Sequence, residues 1–160
     1  MIFVTVGTQG PFDRLISAMD DIACDLPHIK FVAQVSQGSS RVRHMKAFDF
    51  ISPMEFNEHF NSAKLIVSHA GMGTIISAFE NNKPILILPK LQKFGEHRND
   101  HQLATAKKLE SLKYLHVAYT ERDLREKVFT VLNGDLNPLH KVGKYASSEL
   151  IHSLQYFIAV

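Results

Sequence analysis

Apolar runs of strand length alternate with segments of helical period along the whole chain, and this alternation constrains the fold more than any other feature. Ile2–Val6, Phe31–Val35, Phe48–Ile51, Leu65–Val67, Pro84–Pro89 and Leu115–Ala118 read as strands. A helix-period stretch separates most neighbouring runs, and a crossover helix returns the chain so that consecutive strands lie parallel. The run PILILP is too uniformly apolar for a sheet with one wet face, so it is expected to be buried on both sides. A three-layer α/β domain with a mostly parallel sheet follows.

The helices carry their own signals. Pro11 suits a first helical turn, because its missing N–H would have no partner there, and Leu15, Ile16, Met19, Ile22 and Ala23 form the apolar stripe behind it. Pro53 opens a helix through Phe60. Ile75, Ile76, Ala78 and Phe79 mark another, which Asn81-Asn82 can end because Asn tolerates the left-handed conformation. Further helices are expected at Asn99–Leu112 and Glu121–Leu132. A terminal one carries Leu150, Ile151, Leu154, Phe157 and Ile158, packed on its own sheet.

Composition narrows the function classes. The 160 residues suit one domain spanning 1–160, and 18 basic against 16 acidic residues leave a net charge of only +2. That balance is too even for a nucleic-acid binder, which would carry a basic stripe. One cysteine, Cys24, excludes an internal disulfide framework and a multi-cysteine zinc site. MIFVTVG lacks a basic segment before its apolar run and reads as a strand rather than a signal peptide. No stretch reaches the roughly 20 apolar residues that span a bilayer. A soluble, cytoplasmic protein is expected.

Two segments carry candidate chemistry. Leu65-Ile66-Val67 runs into Ser68-His69-Ala70-Gly71-Met72-Gly73-Thr74 and then a helix. A sharp strand-to-helix turn with two glycines presents free N–H groups at a helix N-terminus, which suits phosphate or pyrophosphate. The alternative is an ordinary glycine-containing βα turn. It is not the dinucleotide fingerprint, since Ile76 stands where the third glycine should be, and no Gly-Lys-Ser/Thr follows. An NAD or methyl-donor enzyme is therefore disfavoured. The second segment is Gly95-Glu96-His97-Arg98-Asn99-Asp100-His101-Gln102, which should face the same crevice beyond the strand ends. His97 and His101 stand four apart and could ligate a metal from one helical face, but no zincin-type Glu accompanies them. Arg41-Val42-Arg43-His44 reads as a solvated loop.

With these residues in view, HAGMGT, the Pro-bounded strand and the loop ending in His101-Gln102 resemble the family 28 C-terminal domain of glycosyltransferases, the nucleotide-sugar half of the GT-B fold. Phe3-Val4-Thr5-Val6-Gly7-Thr8, with Phe12-Asp13-Leu15-Ile16 behind it, is similar to the small catalytic subunits of split glycosyltransferases. These comprise the eukaryotic subunit that adds the second N-acetylglucosamine to dolichol-linked chitobiose and bacterial relatives in capsule and exopolysaccharide synthesis. GEHRNDHQLATA is similar to the bacterial branch. The resemblance covers nearly the whole chain and is most specific over Val67–Ala106.

The resemblance implies a Rossmann-like domain and an inverting transfer of a hexose from a UDP-sugar to a lipid-linked saccharide. Gly71, Met72, Gly73 and Thr74 would hold the donor diphosphate, with His69 and Arg98 beside it. His101 and Gln102 would contact the donor sugar, so Gln102→Ala should weaken UDP-sugar more than UDP. Ser77 stands where the family often has a ribose-binding Glu, and Glu80 follows one turn later as the second choice. Gly7, Thr8, Gln9 and Gly10 would form a glycine loop at the cleft. No Asp-x-Asp pair is present, so no metal and no cofactor are expected, with the UDP-sugar as substrate. The catalytic base is unassigned: it is expected from a partner, with His69 as a candidate. That partner is a membrane-anchored acceptor-binding subunit, recruiting the chain to the inner face of the membrane. The alternative is a non-catalytic nucleotide-sugar-binding or enhancer subunit of a separate transferase.

Overall fold

Six strands form one sheet in the order β3-β2-β1-β4-β5-β6, every pair parallel. They are β1 (Ile2–Thr5), β2 (Phe31–Gln34), β3 (Lys46–Phe48), β4 (Leu65–Ser68), β5 (Ile85–Ile87) and β6 (His116–Val117). The helices are α1 (Asp13–Asp25), α2 (Pro53–Ser62), α3 (Met72–Glu80), α4 (His101–Ser111), α5 (Glu121–Asn133) and α6 (Ser148–Ala159). This computed structural model describes residues 1–38, 41–134, 137–143 and 148–159. Among them no helix is long and apolar enough to cross a membrane.

The period-2 alternation of the strands builds the three layers. Ile2, Val4, Leu65, Val67 and Leu86 face one way, onto Leu15, Ile16 and Met19 of α1 and Leu124 and Val128 of α5. Phe3, Ile66, Ile85 and Ile87 face the other way, onto Phe60 of α2, Ile75 and Phe79 of α3 and Ala106 of α4. With both faces covered, β4 and β5 are buried along their whole length, as the PILILP run required. The strand order reverses between β1 and β4. Their carboxyl ends are level, Thr5 pairing with Ser68, and an open parallel sheet binds its ligand in the crevice beyond such a reversal.

Some boundaries differ from the sequence reading. α1 begins at Asp13, two residues after Pro11, because Phe12 serves as the N-cap and its carbonyl receives the Ile16 amide. The third strand lies at Lys46–Phe48 rather than Phe48–Ile51. The buried carboxylate of Asp20 accepts the amides of Arg43, His44 and Met45, which fixes where this edge strand starts and leaves Phe50 and Ile51 in the following loop. α2 starts at Pro53 behind a Ser52–Glu55 capping box. A 3-10 turn at Gln92–Phe94 precedes α4, whose helix starts at His101 rather than Asn99. Asn82 ends α3 in the left-handed conformation, as its residue type suggested. α6 is present, but Ile158 is exposed rather than packed on the sheet, while the side chains of Leu150, Ile151, Leu154 and Phe157 lie outside the described set.

Candidate functional site

A cavity of about 700 Å³ opens at the switch point, between the loop after β1, the β4–α3 turn and the segment after β5. Three strands end on a buried polar residue where apolar ones would otherwise continue, Thr5 on β1, Gln34 on β2 and Ser68 on β4, and the first two line the cavity. Gln34 Oε1 accepts the Thr5 hydroxyl at 3.2 Å, and Thr5 Oγ1 accepts the Gly7 amide at 3.3 Å. Thr5 and Gln34 line the cavity, with Ile51, Pro53 and Phe56 forming an apolar flank from the α2 side and Asn57 beside them.

Gly71 is the N-cap of α3, in extended conformation and without a side-chain cap. The first bond of the helix runs from the Ile75 amide to the Gly71 carbonyl at 3.2 Å. The amides of Met72, Gly73 and Thr74 therefore find no acceptor among the described residues, and all three residues line the cavity. The two glycines of the turn do different things. A Cβ on Gly71 would lie 2.1 Å from His69 Nε2, whereas one on Gly73 would meet nothing within 4 Å. Gly7, in the left-handed region at φ +75°, faces the same imidazole, 2.6 Å from where its Cβ would be. His69 is thus wedged between two backbone turns that only glycine can supply.

Burial pushes the His69 pKa down to about 4, with the charge of Lys90 adding to the effect and the Thr5 carbonyl opposing it. The ring is neutral at physiological pH. Its Nδ1 lies 3.2 Å from the Ser68 hydroxyl.

The polar segment after β5 divides by role. Glu96 grips Arg14 through two hydrogen bonds of 2.7 and 3.0 Å and also accepts the Leu91 amide. Asp100 accepts the Gln92 amide, and Asn99 Oδ1 lies within bonding distance of both His97 Nδ1 and the His101 amide. These side chains hold their own loop. His97 and His101 line the cavity, but His97 precedes the helix, so the two do not share a helical face as metal ligands; no group of three or more metal-ligating side chains exists among the described residues. Arg98, expected beside the diphosphate, is exposed and does not line the cavity, because its loop is turned by the anchored Glu96 and Asn99. The cation that does line it is Lys90, which the sequence reading missed.

Gln102 is buried, and its Oε1 accepts the amides of Ala70 at 3.2 Å and Lys90 at 3.1 Å, tying the ends of β4 and β5 together. Its Nε2 makes no hydrogen bond among the described residues, and the residue lines the cavity. Of the two ribose candidates, Ser77 lines the cavity, whereas Glu80 is exposed outside it, three residues round the helix. Thr8 and Gln9 line the cavity and Gly10 does not, although its carbonyl receives the Lys90 ammonium at 3.0 Å. Among the described residues, the titratable side chains of the lining are His69, Lys90, His97 and His101, with no carboxylate. A concave site of free amides and basic groups without an acid is built for an anion.

Residues 1–153 match the model of the glycosyltransferase family 28 C-terminal domain. The chain belongs to that family. The human UDP-N-acetylglucosamine transferase subunit ALG13 is 31% identical over 120 residues, covering 68% of this chain but 10% of the relative, so the chain spans about a tenth of that protein's length. The solution structure of ALG13 superposes with a TM-score of 0.62 at 19% identity, covering 96% of this chain and 93% of that one. The UDP-GlcNAc 2-epimerase of Neisseria meningitidis, solved with UDP-GlcNAc bound, gives 0.63 at 13% identity over 97% of this chain and 43% of its own. At these identities the structural likenesses establish the fold, a Rossmann-like domain shared by transferases and an epimerase alike. The family 28 assignment makes this a glycosyltransferase domain of the ALG13 type.

Proposed function

We propose that the chain is the donor-binding subunit of a two-subunit inverting glycosyltransferase that moves a hexose from a UDP-sugar to a lipid-linked saccharide in surface polysaccharide synthesis. The observation that carries this reading is the acid-free cavity at the switch point, with three unpaired amides of α3 facing into it. In the transfer, the acceptor oxygen bonds to the anomeric carbon while the bond from that carbon to the β-phosphate oxygen breaks. The electron pair leaves on the diphosphate, and the hydroxyl proton goes to a base. Preorganised amides of Met72, Gly73 and Thr74 stabilise the charge growing on the leaving group. Ser77 is placed for the ribose, and His101 with the free Nε2 of Gln102 for the sugar hydroxyls. With no carboxylate in the lining to chelate a divalent ion, the reaction proceeds without metal, and binding and transfer survive EDTA.

The proton acceptor comes from elsewhere. A neutral His69 with a pKa near 4 holds a proton too weakly to take one from an alcohol efficiently at pH 7. A membrane-anchored acceptor-binding subunit then supplies the base and recruits the chain from the cytoplasm to the inner face of the membrane. The relative's description as a subunit supports this arrangement. The weakness of His69 as a base also favours a second reading, a nucleotide-sugar-binding enhancer of a separate transferase. Turnover of a lipid-linked acceptor by the purified pair separates them: Gly73→Val abolishes transfer if this chain holds the reacting donor, whereas an enhancer leaves the partner's basal transfer intact. Thermal-shift measurements with a panel of UDP-sugars identify the donor, since the bound one raises the melting temperature by mass action. No stabilisation by any member of the panel refutes the donor-site reading.

A further inference from the structure

Lys90 brings a positive charge into the protein that its neighbours leave unanswered. The residue is 1% exposed, immediately beyond the buried β5 and Pro89. Its ammonium donates to the carbonyls of Gln9 at 3.3 Å and Gly10 at 3.0 Å, and it lies 5.6 Å from the centre of the Phe12 ring. All three partners are neutral. No ion pair to Lys90 exists among the described residues; Glu96, the acid that acts on it, has both oxygens on Arg14 and one on the Leu91 amide as well. Burial without a counter-ion holds the ammonium below its ordinary pKa. A buried charge is normally paired, because the loss of hydration is otherwise uncompensated. An ammonium has three hydrogens, and only two have acceptors here. Lys90 lines the same cavity as the unpaired amides of α3.

We infer that Lys90 is the counter-charge for the donor's diphosphate, giving its third hydrogen to a phosphate oxygen while keeping the loop after β1 in place. This rests on the donor reading above and supplies the cation that Arg98 does not. It gives the cavity that the α3 amides line a fixed, buried positive charge for the departing UDP. Bound that way, Lys90 discriminates ligands by phosphate and is indifferent to the nucleoside.

Calorimetric titration of the full chain with uridine, UMP and UDP tests this, using the native protein, Lys90→Met and Lys90→Arg. Lys90→Met is expected to weaken UDP about 10- to 100-fold, the range for one hydrogen bond to a charged group, with uridine unchanged and UMP between. Lys90→Arg should recover part of the loss. Equal weakening of all three ligands would reduce Lys90 to a loop latch and overturn the assignment, as would undiminished UDP binding. If Lys90→Met fails to fold, the ¹⁵Nζ resonance of Lys90 in the native protein provides the readout. It should move with UDP and stay with uridine; an unmoved signal at saturating UDP overturns the proposal. Native protein that binds no UDP at all removes the donor reading and this assignment together, whereas UDP binding indifferent to Lys90 removes the assignment alone.

Discussion

The β4–α3 turn and the segment after β5 reach the same cavity by opposite means. In the turn, side chains withdraw and the backbone is presented: Gly71 and Gly73 leave the amides of Met72, Gly73 and Thr74 bare. In Gly95–Gln102, which is far richer in reactive groups, most of those groups are turned onto the protein itself. Glu96 binds Arg14 and Leu91, Asp100 binds Gln92, and Gln102 bridges Ala70 to Lys90. A dense run of polar residues therefore signals a loop that needs many internal bonds as readily as it signals a ligand. A run of glycines beyond a buried strand is the narrower indication.

The most severe test of this contrast is at the two glycines. Gly73→Val should lower UDP affinity by a factor of about 100 or more, on the order of 3 kcal/mol, with little change in stability, because Gly73 lines the cavity and a Cβ there has no protein atom within 4 Å. Gly71→Ala should instead lower stability by about 1–3 kcal/mol, since its Cβ would press on the His69 ring. Calorimetry with UDP and denaturant unfolding on both variants check the pair. Unchanged UDP affinity in folded Gly73→Val would remove the turn from the site.

His69, the wedge between the two glycines, makes the turn sensitive to acid. Its pKa is ordinary in the unfolded chain, near 6.5, and about 4 in the native protein. Between those values the unfolded state binds more protons, so stability falls as pH drops from about 6.5 to about 4 and this contribution is constant above and below. The loss is at most about 3 kcal/mol. Chemical denaturation across this window should show the slope in the native protein and a shallower one in His69→Gln. Parallel slopes would mean that burial does not depress the His69 pKa, the imidazole binding its proton as readily in the native protein as in the unfolded chain.

The architecture was legible because its signal is collective. The alternation of six apolar runs leaves the parallel α/β sheet as the economical answer, and small errors at Pro11 or Phe48 do not disturb it. What escaped depends on single long-range bonds. Asp20 sets the start of β3 from 23 residues away, and no local pattern announces that contact. The helix start at His101 is governed by Asn99 and Asp100, whose short side chains compete for backbone amides. Lys90 did leave a trace, as did Thr5, Gln34 and Ser68: each is a polar residue at the point where a buried strand ends. Such residues are exceptions to an apolar rule at the edge where ligands bind, and Thr5, Gln34 and Lys90 line the cavity together with His69, His97 and His101.

Gln102 joins the two regions and should show both characters. Gln102→Ala leaves the Ala70 and Lys90 amides without their acceptor in a buried setting and should cost about 1–3 kcal/mol of stability. If its Nε2 also meets the donor sugar, UDP-sugar affinity falls by about 1 kcal/mol more than UDP affinity. A stability loss with equal effects on both ligands would make the residue a bridge only.

The smallest expected effect lies on α3, where Ser77 and Glu80 compete for the ribose. A carboxylate is chemically the better partner for a pair of sugar hydroxyls, because it accepts both at once and its bonds are charge-assisted. Position decides against it: Ser77 lines the cavity, and Glu80, three residues on, is exposed beyond it. For Glu80 to reach the ligand, α3 would have to rotate about its axis, and Ile75, Ala78 and Phe79 are locked in the core beneath it. Ser77→Ala should therefore weaken UDP by about 1 kcal/mol, the value of one neutral hydrogen bond, and Glu80→Ala by nothing measurable. Comparing UDP with its 2′-deoxy analogue on both variants checks the contact itself. Removing the hydroxyl from the ligand and from Ser77 together should cost little more than removing either alone, whereas additive losses would place the ribose elsewhere. A loss confined to Glu80→Ala would show that α3 turns when the donor binds, and the contrast between a fixed backbone turn and a self-bonded loop would no longer hold.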